Sequence, residues 1–241
     1  MNVPSRGQLR GQSATEEVHR LLREDILNGR FTSGEVLEQD KIGRLLGVSA
    51  TPIREALRRL QEEGLVVAPP QRRARVVGFD PAQVEALYAE RICIEAMGAA
   101  LTARVVTDES LMAMRDAFQR MQSASTGAGG PDAAWHAAHF DFHMLATDSL
   151  GQAMQSRVAI NFDRSRHYVQ MQRPEALDGW RAPNRWHGAI LAAFEARDPD
   201  AAGAAMASDL ANAAVALIGY MTPDHEPTLI TSVVERFHQA T

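Results

Sequence analysis

Cysteine and lysine are nearly missing: one of each, Cys93 and Lys41, in 241 residues. A single thiol excludes an internal disulfide framework and suits a reducing, cytoplasmic setting. Cys93 falls in an apolar helical stretch, where it reads as core packing. Arginine therefore carries almost all the positive charge, which a genome-wide bias explains as well as any function does. No apolar run approaches the ~20 residues that a bilayer-spanning helix needs. No signal-peptide pattern of basic, apolar and small-residue blocks opens the chain. An HExxH helix with its glutamate base, a nucleophile elbow and a glycine-rich phosphate loop are all absent, as is any internal repeat.

The length accommodates one large domain or two ordinary ones, and 45% hydrophobic residues is a globular composition. The net charge of −5 hides an asymmetry. Residues 1–77 hold 13 basic and 10 acidic side chains, whereas the remainder holds 12 and 20. A basic N-terminal part on an acidic body fits a nucleic-acid reader whose carrier repels the DNA backbone elsewhere.

The stretch EQDKIGRLLGVSATPIREALRRLQEEG, residues 38–64, reads as two short helices joined by a tight turn. The first turns Ile42, Leu45 and Leu46 inward and stops at Gly47, a residue that tolerates a left-handed helix end. Ser49 or Thr51 caps the second, with Pro52 in its first turn. Ile53, Ala56, Leu57 and Leu60 then form one buried stripe at helical spacing. The opposite face carries Ser49, Thr51, Arg54 and Arg58. A DNA major groove admits such a helix: Arg bonds guanine edges bidentately, while hydroxyls and helix N-termini take phosphates. An ordinary helical hairpin with solvated arginines is the alternative for this stretch alone.

The flanks extend the pattern. Residues 1–13 read as a flexible arm, and a helix follows over 15–28. After Gly64, two β-prone runs, 65–67 and 71–77, surround a turn at Pro69-Pro70, and the second carries Arg72, Arg73 and Arg75. Three helices and a two-stranded wing make a winged helix-turn-helix over residues 14–78, with the wing arginines as phosphate contacts. VSATPIREALRRLQEEGLV, with its TPxREAL core, resembles the DNA-binding domain of the GntR family of bacterial transcription regulators. The resemblance implies operator contacts from Arg44, Ser49, Thr51, Arg54, Arg58 and the wing. Ala50 stands where an arginine is usual, and Arg73 where a wing glycine is usual.

Beyond a linker at 78–81 the chain reads as helical almost throughout. Helices are predicted over 81–104, 107–123, 132–148, 151–172, 183–196 and 199–220, with a loop at 123–131. The whole is mainly α: the winged domain, then an all-α antiparallel bundle over 79–222. A tail, 223–241, follows, whose Leu229, Ile230, Val233, Val234 and Phe237 share one side.

Four of the eight histidines lie between 136 and 167. His139 and His143, four apart, share one helix face. His187 precedes Asp198 by as many residues as Asp209 follows it. If Asp198-Pro199 is a hairpin tip, His187 and Asp209 stand level on facing helices. Three nitrogens and one oxygen suit Zn²⁺ or Ni²⁺, with Mn²⁺ as a third option. Histidines on helices are more often surface or hydrogen-bonded core residues, and spacing alone leaves that reading standing, most of all for His136 and His167.

Residues 80–221 resemble the FCD effector domain of the FadR subfamily within GntR regulators. Arg91-x-x-x-Glu95, Phe142-His143, and His187-x-x-Ile190 followed by Asp198 and Met206 carry the likeness. That module often binds a divalent metal through Asp, His, His and His in chain order; here the order is His139, His143, His187, Asp209, with first and last ligand types exchanged. The resemblance further implies a homodimer on a short inverted-repeat operator, repression, and a small organic-acid effector held by the metal and Arg91. An Arg91–Glu95 pair within one helix is the alternative for that arginine. Arg164 and Arg166 are weaker effector candidates, and Met97, Trp135 and Trp186 could wall the pocket. A metal-dependent enzyme, or a regulator with a purely structural metal, are the competing functions.

Overall fold

The computed structural model describes residues 12–69, 72–124, 132–171 and 183–238. The arm before residue 12, Pro70 of the predicted turn and nearly all of the predicted 123–131 loop lie outside the described residues. The chain divides into two compact units, one holding residues up to 79 with Arg166–Met171, the other the remainder.

The first unit is built on α1 (Gln12–Leu27), α2 (Gln39–Leu46) and α3 (Ala50–Glu62), followed by β1 (Val66–Val67) and β2 (Arg75–Val76). Val18, Leu22 and Ile26 of α1 pack on Ile53, Ala56, Leu57 and Leu60 of α3 in one core. Each of the valine, leucine and isoleucine side chains contributes roughly 1.5–3 kcal/mol of burial, enough to hold helices that are individually too short to persist. Gly47 ends α2 in the left-handed region, and its N–H returns to the Gly43 carbonyl. Ser49 starts α3, but its side chain makes no capping bond. The strands pair antiparallel, Val66 with Val76 and Val67 with Arg75, and a single bridge from Val36 to Arg75 extends the wing. They are shorter than predicted. Leu45 also departs from expectation: it is 40% exposed, while Ile42 is buried and Leu46 packs against the core.

The second unit is a helical bundle. Its helices are α4 (Pro81–Arg91), α5 (Met97–Val105), α6 (Asp108–Ala124), α7 (Ala133–Ala146), α8 (Gly151–Val169), α9 (Pro183–Glu195), α10 (Pro199–Met221) and α11 (Thr228–His238). α8 belongs to this unit as far as Ser165, and its last residues belong to the first. Asp80, Asp132 and Asp198 cap α4, α7 and α10 with side-chain oxygens on backbone N–H groups. The Asp198-Pro199 start of α10 is the predicted hairpin tip, and α9 and α10 pack along each other. α10 lies centrally, against α4, α5, α9 and α11.

Three expectations are corrected here. The single helix predicted over 81–104 is interrupted by a π-helical turn, Ile92–Ala96. Cys93 is exposed rather than in the core. Met97, Leu101 and Val105 follow it at four-residue spacing and are exposed too; a helix apolar all round gives periodicity no face to choose. Finally, α10 is long and apolar enough to cross a bilayer by length and composition, with mean hydropathy 1.5 over its best window. That window is 56% buried, so much of its apolar surface serves the bundle core. In the tail, α11 buries Ile230 while Leu229 is exposed.

Candidate functional site

The second unit brings the three predicted histidine ligands together, with Asp209 beside His143 and His187 but outside their group. His139 and His143 come from α7, His187 from α9 and Asp209 from α10. One nitrogen from each imidazole falls in a group whose members all lie within 4.8 Å of one another. His143 Nε2 is 3.4 Å from His187 Nε2 and 3.7 Å from Asp209 Oδ2. His187 Nδ1 is 3.8 Å from Asp209 Oδ1. Donors about 2.0–2.2 Å from one tetrahedral ion stand roughly 3.3–3.6 Å apart; the His143–His187 separation matches this, whereas Asp209 lies outside the three-histidine group and meets His187 through Nδ1, not through the Nε2 that faces His143. His143, His187 and Asp209 are buried and His139 is half-buried. Burial, then the neighbouring His143, His187 and Arg91, push the His139 pKa well below the usual imidazole value. A neutral imidazole is the form that binds metal.

Around this cluster stand Trp135, 4.4 Å from the His139 ring by centroids, and Phe162, 4.9 Å from it. Trp135 is buried against the histidine cluster. Met97 is 55% exposed, and Trp186 is half-buried with Arg185 over its ring. His136 is buried, edge-on to Trp135, and outside the ligand group.

Arg91 is buried between the Tyr88 and Phe162 rings. Its Nε donates to Glu95 Oε1 at 2.6 Å, Nη2 to Glu95 Oε2 at 3.2 Å, and Nη1 to Ser165 Oγ at 2.8 Å. The intrahelical pair therefore forms, and one N–H on each terminal nitrogen lies beyond these bonds. Glu95 in turn accepts from His143 Nδ1 at 2.9 Å. Burial alone would raise the Glu95 pKa; the Arg91 charge and the His143 and Arg91 hydrogen bonds outweigh it and hold it at about 2. Sequence reasoning saw Glu95 only as the partner of Arg91. Its bond to His143 had no local signal, since the two are 48 residues apart. Arg164 is half-buried, and Arg166 donates to Asn28 Oδ1 within the first unit.

The predicted DNA-contacting side chains are all exposed on the first unit: Arg44, Ser49, Thr51, Arg54, Arg58, Arg72, Arg73 and Arg75. Arg54 Nη2 reaches only Thr51 Oγ1, at 3.4 Å. Arg58 is bridged to Glu55 and Glu62 on its own helix. On the wing, Arg73 is 3.8 Å from Glu38 and Arg75 donates to the Gly34 carbonyl. None of these arginines is turned into the core.

The sequence matches the bacterial regulatory proteins of the gntR family over residues 14–76 and the FCD domain over residues 86–212. An HTH-type transcriptional regulator from the TAR-I ttuE-ttuC' intergenic region of Agrobacterium vitis is 33% identical over 128 residues, 52% of this chain and 74% of that one. The HTH-type transcriptional repressor RspR of Escherichia coli is 27% identical over 205 residues, 83% of this chain and 86% of that one. Among solved structures, E. coli McbR/YncC has a TM-score of 0.70 at 21% identity, covering 87% of this chain and 99% of its own. A GntR transcriptional regulator from Rhodococcus sp. RHA1 has 0.71 at 23%, covering 86% and 99%; these two likenesses show the fold. With a gntR-type winged helix and an FCD bundle covering more than half its length, the chain belongs to the FadR-type GntR regulators and is a DNA-binding transcription regulator, not an enzyme.

Proposed function

We propose that this regulator is a repressor, working as a homodimer on an inverted-repeat operator, and that its bundle holds a divalent ion and a small carboxylate that together adjust operator binding. The observation that supports the proposal is the convergence of His139, His143 and His187, with the Asp209 carboxylate within 4 Å of the latter two. Three imidazole nitrogens and one carboxylate favour Zn²⁺ or Ni²⁺, with Mn²⁺ a poorer match. A bound ion would supply an electrophilic anchor for an anionic ligand.

Charge supports the carboxylate. With neutral imidazoles, a divalent ion and the Arg91 guanidinium would face, among the described residues, the Asp209 and Glu95 carboxylates. One positive charge is left over in a buried site, where uncompensated charge is costly. A single carboxylate balances it, reaching the ion and the remaining N–H groups of Arg91. On the first unit, Arg44, Ser49, Thr51, Arg54 and Arg58 are the proposed groove contacts, and Arg72, Arg73 and Arg75 the proposed backbone contacts. Ligand binding would act by biasing the spacing of two heads in the dimer.

The experiment combines elemental analysis, a thermal-shift screen of small carboxylic acids, and binding to a fragment of the regulator's own promoter, with metal removed and restored. The expected result is retained metal, stabilisation by particular acids only in the metal-loaded form, and a change in promoter affinity with those acids. Equal affinity with and without metal and acid would make the ion structural and defeat the proposal. Sequence-indifferent binding in the presence of competitor DNA would defeat the operator assignment.

A further inference from the structure

We propose that Glu95 is the positioning residue of the metal site, the outer carboxylate that orients His143, and that Arg91 acts on the site through it. This rests on the metal reading above and adds what sets the geometry of one ligand. Glu95 is fully buried, with Oε2 2.9 Å from His143 Nδ1. An anionic acceptor at Nδ1 keeps the proton there and leaves the Nε2 lone pair directed at His187 and Asp209. Arg91 fixes the carboxylate in turn through both oxygens, and Ser165 holds the far side of the guanidinium while donating to the Phe162 carbonyl. Each side chain in the row His143–Glu95–Arg91–Ser165 is thus held by the next.

Two observations favour orientation over mere stabilisation. A buried ion pair is seldom more stabilising than an apolar replacement of equal volume, so fold stability alone is a weak reason for this one. Glu95 also lies in the π-helical turn Ile92–Ala96, and such turns recur at functional sites. The same geometry casts Arg91 first as the anchor of Glu95 and only through its remaining N–H groups as a ligand contact.

The test measures Zn²⁺ affinity of the full chain by chelator competition, with Co²⁺ absorption spectra as a report on ligand geometry. Glu95→Gln keeps an acceptor at Nδ1 but not its charge; the expected result is about 10–100-fold weaker Zn²⁺ binding and an altered Co²⁺ spectrum. Wild-type affinity and spectrum in Glu95→Gln would overturn the inference. His143→Ala separates the two readings: if it loses the ion while Glu95→Gln binds normally, only the present inference falls. If His143→Ala keeps the ion, or the wild-type chain binds none, the metal reading falls with it. Should Glu95→Gln fail to fold, histidine ¹⁵N spectra of the metal-free wild-type chain decide. An Nδ1-protonated His143 is expected there, and an Nε2-protonated one overturns the inference.

Discussion

His143 and His187 face each other through their Nε2 atoms at 3.4 Å, although 44 residues separate them. Both are buried, and each ring has a carboxylate oxygen of Asp209 within 4 Å. Imidazole nitrogens converging on a carboxylate away from water are what a cation stabilises and an apolar core does not.

Removing one of these rings should therefore empty the site. His143→Ala is expected to reduce retained metal from about one ion per chain to background, read by elemental analysis after desalting. Saturating the wild-type chain at roughly 100 times Kd should add about 2.7 kcal/mol and raise its melting temperature by roughly 5–10 °C. His143→Ala should show no such rise.

The arginines of α3 should differ in weight. Arg54 meets only a hydroxyl at long range, whereas Arg58 is bridged to Glu55 and Glu62. Arg54→Ala is expected to cost about 1–3 kcal/mol in operator affinity and to relax sequence preference. Arg58→Ala should cost less, since binding must first break its ion pairs. Replacing Arg72 or Arg73 should lower the slope of log affinity against log salt by about one each, with sequence preference kept. Binding isotherms across salt concentrations check all four.

The tail helix depends on one carboxylate. Glu85 is buried; its Oε1 accepts from the Leu229 N–H at 2.6 Å, and its Oε2 meets His225 Nε2 at 2.9 Å. Glu85→Ala leaves those donors without their acceptor at the start of α11, a loss of about 1–3 kcal/mol. Hydrogen exchange should rise in Thr228–His238 well before it rises in α10.

In the first unit, His167 is buried with Nε2 donating to the Val77 carbonyl at 3.0 Å. Burial lowers its pKa, with the Val77 and Ile26 carbonyls offsetting part of the effect. The unfolded chain thus takes up the proton first as pH falls. The stability this ring contributes is full above its ordinary value near 6.5 and is lost as pH drops below it. Melting temperature should fall between pH 7 and 5.5, with a shallower slope in His167→Gln.

The helix-turn-helix was readable from residues because its signals are local. The Gly47 stop, the Ser49 start and the Ile53–Leu60 stripe each act within a turn or two of chain. The level placement of His187 and Asp209 was also readable, since a capped hairpin tip converts residue counts into heights on two facing helices. Cys93, Met97 and Leu45 were misplaced for the opposite reason: on short or uniformly apolar helices, only the neighbours decide which side is covered.

The amino-acid order by itself determined the element sequence, the exposed basic helix and the shared face of His139 and His143, because hydrophobic period, caps and turn residues act over a few positions. Only the tertiary structure decided that Arg91 is committed to Glu95 and that Glu95 is bonded to His143. That choice belongs to a buried environment in which each charge must find a partner, and the partners come from helices far apart in sequence.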